Sequence, residues 1–271
     1  MDLYLVNLAA VIAMMLVLWL ISVVVHDASI VDPFWGAAFV LIAWSQFVTW
    51  FYLSGPACDT SPCRSFTDVG VLLPILVTIW GLRLSIYLGR RNLGKGEDFR
   101  YQAMRRRYGA RFPLISLFIV FLLQAGLAWV VSLPVQAGIR GSADASLTSP
   151  LVVAGVVLWT IGLAFETVGD LQLARFKRDP ANTGQVLDRG LWRYTRHPNY
   201  FGDFLVWWGL FLIAAATGAW WTVVGPALMS ILLIRVSGAG LLEKTIGDRR
   251  PGYAEYIKRT SGFFPRPPRA P

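Results

Sequence analysis

The residues best suited to chemistry gather in one stretch, Gly190–Asp203 (GLWRYTRHPNYFGD), which directly precedes an apolar run over residues 204–218. Its cationic side chains are Arg193, Arg196 and His197. Pro198 suits the first turn of a helix, and the free backbone N–H groups of such a turn favour anions. Cations beside a helix start bind phosphate or pyrophosphate well. We therefore predict a phosphate-binding site; the alternative is that Trp192, Tyr194 and the arginines only anchor the chain at a membrane surface.

Carboxylates near this stretch share helix faces with polar neighbours. Asn199 and Asp203 are four residues apart, as are Glu166 and Asp170, so the members of each pair lie on one side of a helix. Asp203 follows the helix start by about one turn and lies inside the apolar run, where carboxylates usually face the protein interior. We predict that Asp203 donates a proton or a hydrogen bond to a substrate. A salt bridge to a nearby arginine is the alternative role.

Two segments of the N-terminal half carry further candidates. Asp32 and Trp35 are three residues apart at the start of an apolar run, and we assign both to substrate binding. Helix capping is the alternative role of Asp32. The loop Glu97–Tyr101 combines acidic and basic residues, which attraction to anionic lipids does not explain, because such lipids repel the acids. Its candidate cofactor ligands are Asp98, Arg100 and Tyr101.

Membrane helices must position these side chains. The 271 residues are 55% hydrophobic and only 15% charged, whereas a soluble domain has about 25% charged residues. Seven segments are apolar over the roughly 20 residues that cross a bilayer. They run approximately over Leu3–Val25, Pro33–Leu53, Val69–Gly89, Pro113–Leu133, Pro150–Gly169, Tyr200–Gly218 and Ala219–Leu242. We expect an all-α integral membrane bundle in one domain over residues 1–264, followed by a disordered Pro-rich tail over residues 265–271.

Lysines and arginines are distributed unevenly among the connections. Nine lie in residues 83–111, six in residues 171–201 and eight from residue 235 onward, while Arg64 and Arg140 are the only others. Basic residues favour the cytoplasmic side. Seven spans then place the N-terminus outside, and the C-terminus and the predicted site on the cytoplasmic face, which we expect to be that of a bacterial inner membrane. Topology thus explains the net charge of +9, and we expect no nucleic-acid partner.

Other chemical signals are few. Cys58 and Cys63 lie together in one predicted outer loop, where a disulfide can form. The chain has neither the glycine-rich fingerprint of a Rossmann fold nor a phosphate-binding P-loop. Since His26 and His197 are its only histidines, we expect no histidine-ligated metal centre.

The stretch Gly190–Asp203 closely resembles the C-terminal signature of the DUF1295 family, whose members are similar to the membrane steroid 5-alpha-reductases and the sterol C14-reductases. Asp32–Gly36 (DPFWG), Glu97–Tyr101 (EDFRY) and Phe165–Gln172 (FETVGDLQ) also resemble segments of that family. The resemblance implies a multi-spanning enzyme that uses NADPH to reduce a carbon–carbon double bond in a lipid. A steroid-like or other apolar lipid is then the expected substrate.

The resemblance also implies roles for individual residues. Asp203 takes the place of a glutamate that contacts the substrate ketone in the steroid reductases, and Tyr200 is a second candidate for protonating the substrate. Asp170 and Asn199 match cofactor-contacting residues and would hold ribose or amide groups. The other expected cofactor contacts are Lys177, Arg178, Arg193, Tyr194, Arg196 and His197. The tyrosine that the steroid reductases carry in an earlier span aligns with Trp80, which we add to the substrate contacts.

Two other functions stay open from the sequence. Isoprenylcysteine and phospholipid methyltransferases, which use S-adenosylmethionine, share the pattern Arg-His-Pro-x-Tyr before a span. Their tail usually carries a Glu-Glu pair, where this chain has Leu242–Lys244 (LEK). The third possibility is a non-enzymatic membrane scaffold whose basic loops only anchor it to membrane lipids. The sequence carries no signal for an oligomeric state.

Overall fold

A computed structural model describes residues 2–53, 69–142, 145–236 and 252–269. Within these ranges all regular structure is helical, apart from one isolated bridge between Thr195 and Ser261. This confirms the expected all-α class. Several sequence features named above lie outside the described residues: Cys58, Cys63, Arg64 and Leu242–Lys244.

The chain divides into two compact units. Unit 1 comprises Met1–Ser149 and Ala214–Thr222, and unit 2 comprises Pro150–Ile213 and Val223–Pro271. The helices of unit 1 are α1 (Leu3–Val25), α2 (Val31–Leu53), α3 (Val69–Asn92), α4 (Phe99–Tyr108), α5 (Phe112–Ser116), α6 (Leu123–Val131) and α7 (Leu133–Arg140). The helices that lie wholly or mainly in unit 2 are α8 (Pro150–Arg178), α9 (Pro198–Ala215), α10 (Val224–Ile231) and α11 (Tyr253–Arg259).

Helix ends in unit 1 follow local chemistry. The Asp2 carboxylate accepts a hydrogen bond from the backbone N–H of Tyr4 and so caps the start of α1. The same helix ends at Val25, and its C-cap His26 has a left-handed φ of 55°. Asp98 caps α4 by accepting a hydrogen bond from the backbone N–H of Arg100. The loop that carries three of the candidate residues is therefore fixed at the start of α4.

Five helical segments of the described chain are long and apolar enough to cross a membrane. They are Leu3–Val25, Ala28–Phe51, Val69–Asn92, Phe99–Val131 and Pro150–Arg178. They overlap the first five predicted spans and support an integral membrane protein. The sixth predicted span is α9, 18 residues long. The last is represented by a shorter apolar helix, Trp220–Val236. Neither is among the five, so the count of seven and the orientation of the termini stay predictions.

Glycines bring α8 and α9 together in unit 2. Gly155, Gly162 and Gly169 follow one another at seven-residue spacing on α8, and Gly202 and Gly209 do the same on α9. A Cβ added to Gly162 would lie 2.6 Å from the carbonyl oxygen of Gly202, and one added to Gly209 would lie 2.7 Å from that of Gly155. The two backbones therefore touch directly, as small residues allow in membrane helix pairs. This contact places the polar first turn of α9 beside the C-terminal part of α8, the end that we predict to face the cytoplasm.

The C-terminal segment of unit 2 packs on the residues that precede α9. The backbone N–H of Arg196 donates to the carbonyl of Ser261 at 2.9 Å, and that of Arg266 donates to the carbonyl of Tyr194 at 3.0 Å. The backbone N–H of Arg269 donates to the carbonyl of Arg259, also at 3.0 Å. The first two of these bonds join the C-terminal segment to the stretch before α9.

Candidate functional site

A partly accessible amide and a buried carboxylate meet where α8 and α9 lie side by side. The side-chain amide of Asn199 donates a hydrogen bond of 3.1 Å to Oδ1 of Asp170. Asp170 is 4% exposed. Pro198 is the first residue of α9, which confirms the helix start predicted from the sequence. The site thus offers a fixed carboxylate acceptor next to an amide, at a helix N-terminus that favours negative ligand groups.

Two more carboxylates are buried in the same helix pair. Glu166 lies one turn before Asp170 on α8 and is 3% exposed, and Asp203 lies in the second turn of α9 and is 8% exposed. A Cβ added to Gly202 would lie 2.8 Å from the Cβ of Glu166, so Glu166 contacts the turn that carries Asp203. Buried carboxylates are costly in apolar surroundings and usually mark function in membrane helices. Asp203 is therefore inside the protein, as predicted, and Glu166 is an additional candidate that the sequence assignment left out.

His197 and Tyr200 form a stacked pair at the start of α9. Their ring centroids are 5.5 Å apart with an interplanar angle of 9°. His197 is buried, whereas Tyr200 is partly accessible. The backbone N–H of His197 donates to Oγ1 of Thr195, whose own hydroxyl donates to the carbonyl of Phe263. The imidazole is thus held against Tyr200, the second residue predicted to protonate a substrate.

The predicted phosphate ligands differ in what they contact. Arg196 is partly buried, and its Nη1 donates to the carbonyls of Ile257 and Thr260 at 3.1 and 3.3 Å. This guanidinium therefore ties the C-terminal segment to the stretch before α9. The remaining predicted contacts in unit 2 are all exposed: Lys177, Arg178, Arg193 and Tyr194. Lys177 and Arg178 end α8, where the helix dipole favours cations.

The candidates of unit 1 form an internally paired network. Oδ2 of Asp32 accepts a hydrogen bond of 2.7 Å from Nη2 of Arg100, and Oδ1 accepts one of 2.7 Å from the hydroxyl of Tyr101. The Nε of Arg100 also donates to Oδ1 of Asp98 at 2.9 Å. Residues predicted to bind a substrate and residues predicted to bind a cofactor are therefore joined to one another, at the start of α2 and the start of α4.

The acids of the loop before α4 are held ionised by their partners. Burial raises the pKa of Glu97, but hydrogen bonds from the Arg105 side chain and the Ala28 backbone N–H outweigh it and hold that pKa below its ordinary value. Burial likewise raises the pKa of Asp98, and hydrogen bonds from Arg100 to its carboxylate outweigh the effect and leave that pKa lowered. These carboxylates act as anionic partners for arginines rather than as proton donors near neutral pH.

The two predicted tryptophan contacts lie at the ends of one aromatic row. The ring of Trp35 meets that of Phe39 edge-to-face at 5.2 Å, and Phe39 meets Trp80 at 5.5 Å. Trp80 is completely buried, whereas Trp35 is partly accessible. Within unit 1, Trp80 therefore contributes to packing between α2 and α3, and Trp35 is the more accessible of the two tryptophans.

The family assignment follows from a match across most of the chain. Residues 18–260 match the model of DUF1295, described as a protein of unknown function. The chain belongs to the DUF1295 family. No solved structure matches it. In the described part of this DUF1295 chain, no group of three or more His, Cys, Asp or Glu residues could hold a metal ion.

The relatives of this chain differ in how much of it they match. An uncharacterized protein of Schizosaccharomyces pombe is 24% identical over 92% of this chain and 76% of its own length. The human 3-oxo-5-alpha-steroid 4-dehydrogenase 1 is 33% identical over 35% of this chain and 35% of its own. A probable O-methyltransferase of Ustilaginoidea virens is 34% identical over 23% of this chain and 22% of its own. The relatives with a described activity are thus matched over about a third of their length or less.

Proposed function

We propose that this DUF1295 protein is a membrane-embedded reductase that uses NADPH to reduce a carbon–carbon double bond in a steroid-like or other apolar lipid. The observation that carries the proposal is the hydrogen bond between the partly accessible Asn199 amide and the buried Asp170 carboxylate, which fixes polar groups within an apolar helix pair. The partial similarity to a 3-oxo-5-alpha-steroid 4-dehydrogenase supports the same reaction class.

The residues of unit 2 fit such a cofactor in their chemistry. A carboxylate such as Asp170 accepts hydrogen bonds from ribose hydroxyls, and the Asn199 amide can bind hydroxyl or carboxamide groups. Phosphates would be held by the cations that the structure leaves exposed around the same helices: Lys177, Arg178 and Arg193. When bound, the reduced nicotinamide supplies a hydride.

Acid chemistry would come from the first turns of α9. Asp203 is buried in the helix pair, and Tyr200 is partly accessible beside His197. The Tyr200 hydroxyl, or the Asp203 carboxyl in its protonated form, can donate a hydrogen bond to a substrate carbonyl. Such a bond draws electrons from a conjugated double bond and prepares it for hydride. The Arg196 contacts to Ile257 and Thr260 hold the C-terminal segment next to these turns.

The proposal includes the orientation predicted from the basic residues, with this site on the cytoplasmic side. Soluble dinucleotides are present there, whereas an apolar substrate would enter from the bilayer. The roles of Asp98, Arg100 and Tyr101 as cofactor ligands, and of Asp32, Trp35 and Trp80 as substrate contacts, stay predictions. The bacterial inner membrane is also an expectation only, since the relatives named above are eukaryotic.

A methyltransferase is the second candidate because one partial relative is a probable O-methyltransferase. The same acceptor on α8 could hold the ribose of S-adenosylmethionine. The full-length protein in nanodiscs, titrated calorimetrically with NADPH, NADH and S-adenosylmethionine, decides between the two. We expect NADPH to bind at least tenfold more tightly than the others. Preferential binding of S-adenosylmethionine would establish the second candidate, and binding of none of the three would leave the scaffold function.

A further inference from the structure

A cleft of about 360 Å³ opens beside the last two turns of α8, wholly within unit 2. This volume lies in the range of small-molecule sites. The side chains that define its chemistry are Gln172, Arg175, Phe176, Asp179, Asn182 and Arg189. None of these residues belongs to the proposed cofactor site.

The cleft lies on the opposite face of α8 from Asp170. Successive helical residues turn by about 100°, so Gln172 lies about 200° from Asp170 around the axis. Gln172, Arg175 and Phe176 share one face because they are three and four residues apart. Glu166 and Asp170 share the other face, which packs on α9. The cleft is therefore a second site, separate from the one between Asp170 and Asn199.

Its charge favours an anion. Arg175 and Arg189 line the cleft, both are exposed, and within the described parts of the chain neither guanidinium forms an ion pair. The guanidinium of Arg189 lies over the ring of Phe176, 5.8 Å from its centroid, which holds this side chain at the cleft. The one acid of the lining, Asp179, accepts a hydrogen bond of 3.0 Å from the backbone N–H of Ala181 and caps the following turn. A net positive charge remains.

The length of α8 indicates where the cleft lies relative to the membrane. The helix has 29 residues, which gives about 43 Å at 1.5 Å per residue. The hydrocarbon core of a bilayer is only about 30 Å thick. If the apolar residues 150–169 cross that core, Arg175 and the cleft lie among the headgroup phosphates. Phe176, which is buried, gives the cleft an apolar wall beneath Arg189.

We propose that this cleft binds a phosphate group through Arg175 and Arg189. The group can belong to an anionic phospholipid or to a soluble phosphate compound, since planar guanidinium groups bind both in the same way. Gln172 connects the cleft to the stretch before α9, because its Oε1 accepts a hydrogen bond of 3.0 Å from the backbone N–H of Leu191. An anion in the cleft would therefore stabilise the turn Gly190–Arg193. This site goes beyond the proposed reductase function and does not depend on NADPH.

The test compares the double variant Arg175→Gln/Arg189→Gln with a control, Lys258→Gln/Arg269→Gln. The control removes two exposed positive charges of unit 2 that do not line the cleft. Native mass spectrometry of the full-length protein in detergent measures retention of phosphatidylglycerol against phosphatidylcholine. Calorimetry of the protein in phosphatidylcholine nanodiscs measures binding of inorganic phosphate. A lipid source predicts binding in the first measurement alone, and a soluble source predicts binding in the second.

We expect wild type and control to bind alike in one of these measurements, and the double variant to bind at least tenfold more weakly. Unchanged binding by the double variant in both measurements, or no binding by wild type in either, would overturn the proposal. A thermal unfolding curve for each variant checks that it folds; the arginines are exposed, so we expect no large change. NADPH binding is not the readout, so failure of the reductase proposal would leave this result interpretable.

Discussion

The side-chain amide of Asn199 donates to Asp170 at 3.1 Å, across the contact between two helices whose backbones approach through glycines. A Cβ added to Gly169 would lie 3.1 Å from the backbone nitrogen of Asn199. The close approach is what brings a short amide within reach of a carboxylate on the neighbouring helix. A buried charge without such a partner would be strongly unfavourable. The pair therefore couples the packing of the helices to the chemistry proposed for the site.

The first prediction concerns this pair. Asp170→Asn keeps the shape of the side chain and removes the charge, so we expect NADPH to bind at least tenfold more weakly with little loss of stability. Asn199→Ala leaves the buried carboxylate without its amide, which should cost roughly 1–3 kcal/mol of stability. Calorimetry with NADPH and denaturant unfolding in micelles measure the two effects separately. Glu255→Gln, an exposed acid of the same unit, is the control. Equal NADPH affinity in Asp170→Asn and wild type would remove Asp170 from the cofactor site.

The second prediction concerns the glycine contact. In Gly202→Ala the new methyl group would meet the backbone nitrogen and the Cβ of Glu166, and we expect a loss of about 1–3 kcal/mol in the free energy of unfolding. Gly126→Ala is the matched control, because nothing lies within 4 Å of a Cβ added there. In that helix alanine should be neutral or stabilising by up to about 1 kcal/mol. Equal stability of the two variants would show that the backbones of α8 and α9 are not in direct contact at Gly202.

The third prediction concerns the C-terminal segment. Thr195→Val keeps the side-chain shape but removes the hydroxyl that donates to Phe263 and accepts from the N–H of His197. We expect faster hydrogen–deuterium exchange at the backbone amides of Arg196 and Arg266, which bond across the same contact. Loss of one buried hydrogen bond, about 1 kcal/mol, corresponds to roughly a fivefold faster exchange.

The control for that measurement is Thr160→Val on α8, whose hydroxyl donates only to the carbonyl of Val156 within its own helix. Its exchange pattern in the C-terminal segment should equal that of wild type. If Thr195→Val also leaves the two arginine amides unchanged, the segment is held by the aromatic contacts that Phe263 makes with Phe201 and Phe204 instead.

The structural features that depend on local sequence pattern could be predicted. The helix start at Pro198, the burial of Asp203 and five apolar spans all follow from residue types within one or two turns of each other. Seven-residue spacing of glycines on α8 was equally visible in the sequence and would have predicted the helix contact and the position of Glu166.

The pairing of distant residues could not be predicted in the same way. Asp32 and Arg100 are separated by 68 positions, and the chain offers many arginines that could neutralise that aspartate. Only the packing of α2 and α4 selects one. The hydrogen bonds of Arg196 to the carbonyls of Ile257 and Thr260 are a similar case, since these partners lie 61 and 64 positions away along the chain. An arginine donates to phosphate and carbonyl oxygens alike, so its residue type does not predict which oxygens it binds; the three-dimensional arrangement decides that.

The last prediction concerns acid stability of unit 1. In the folded protein the pKa of Glu97 lies below its ordinary 4.5, because the Arg105 and Ala28 hydrogen bonds outweigh the effect of burial. A lowered folded pKa means that the unfolded state binds protons more readily in acid. The ionised carboxylate therefore contributes its full stabilisation above about pH 4.5, and the contribution is lost as pH falls through the folded pKa. Asp98, lowered in the same direction by Arg100, adds to the loss at slightly lower pH.

Glu97→Gln should accordingly lower the Tm near neutral pH, by removing the ionic partner of Arg105, and reduce the fall of Tm between about pH 5 and 3. Wild type and variant should converge at the acid end, where the wild-type carboxylate is protonated as well. Thermal unfolding of the full-length protein in one detergent across this pH range measures both effects. Glu255→Gln, which lies in unit 2 and is exposed, should keep the wild-type profile. Parallel Tm curves for wild type and Glu97→Gln down to the lowest pH would mean that the contacts of Glu97 with Arg105 and Ala28 contribute nothing to folding.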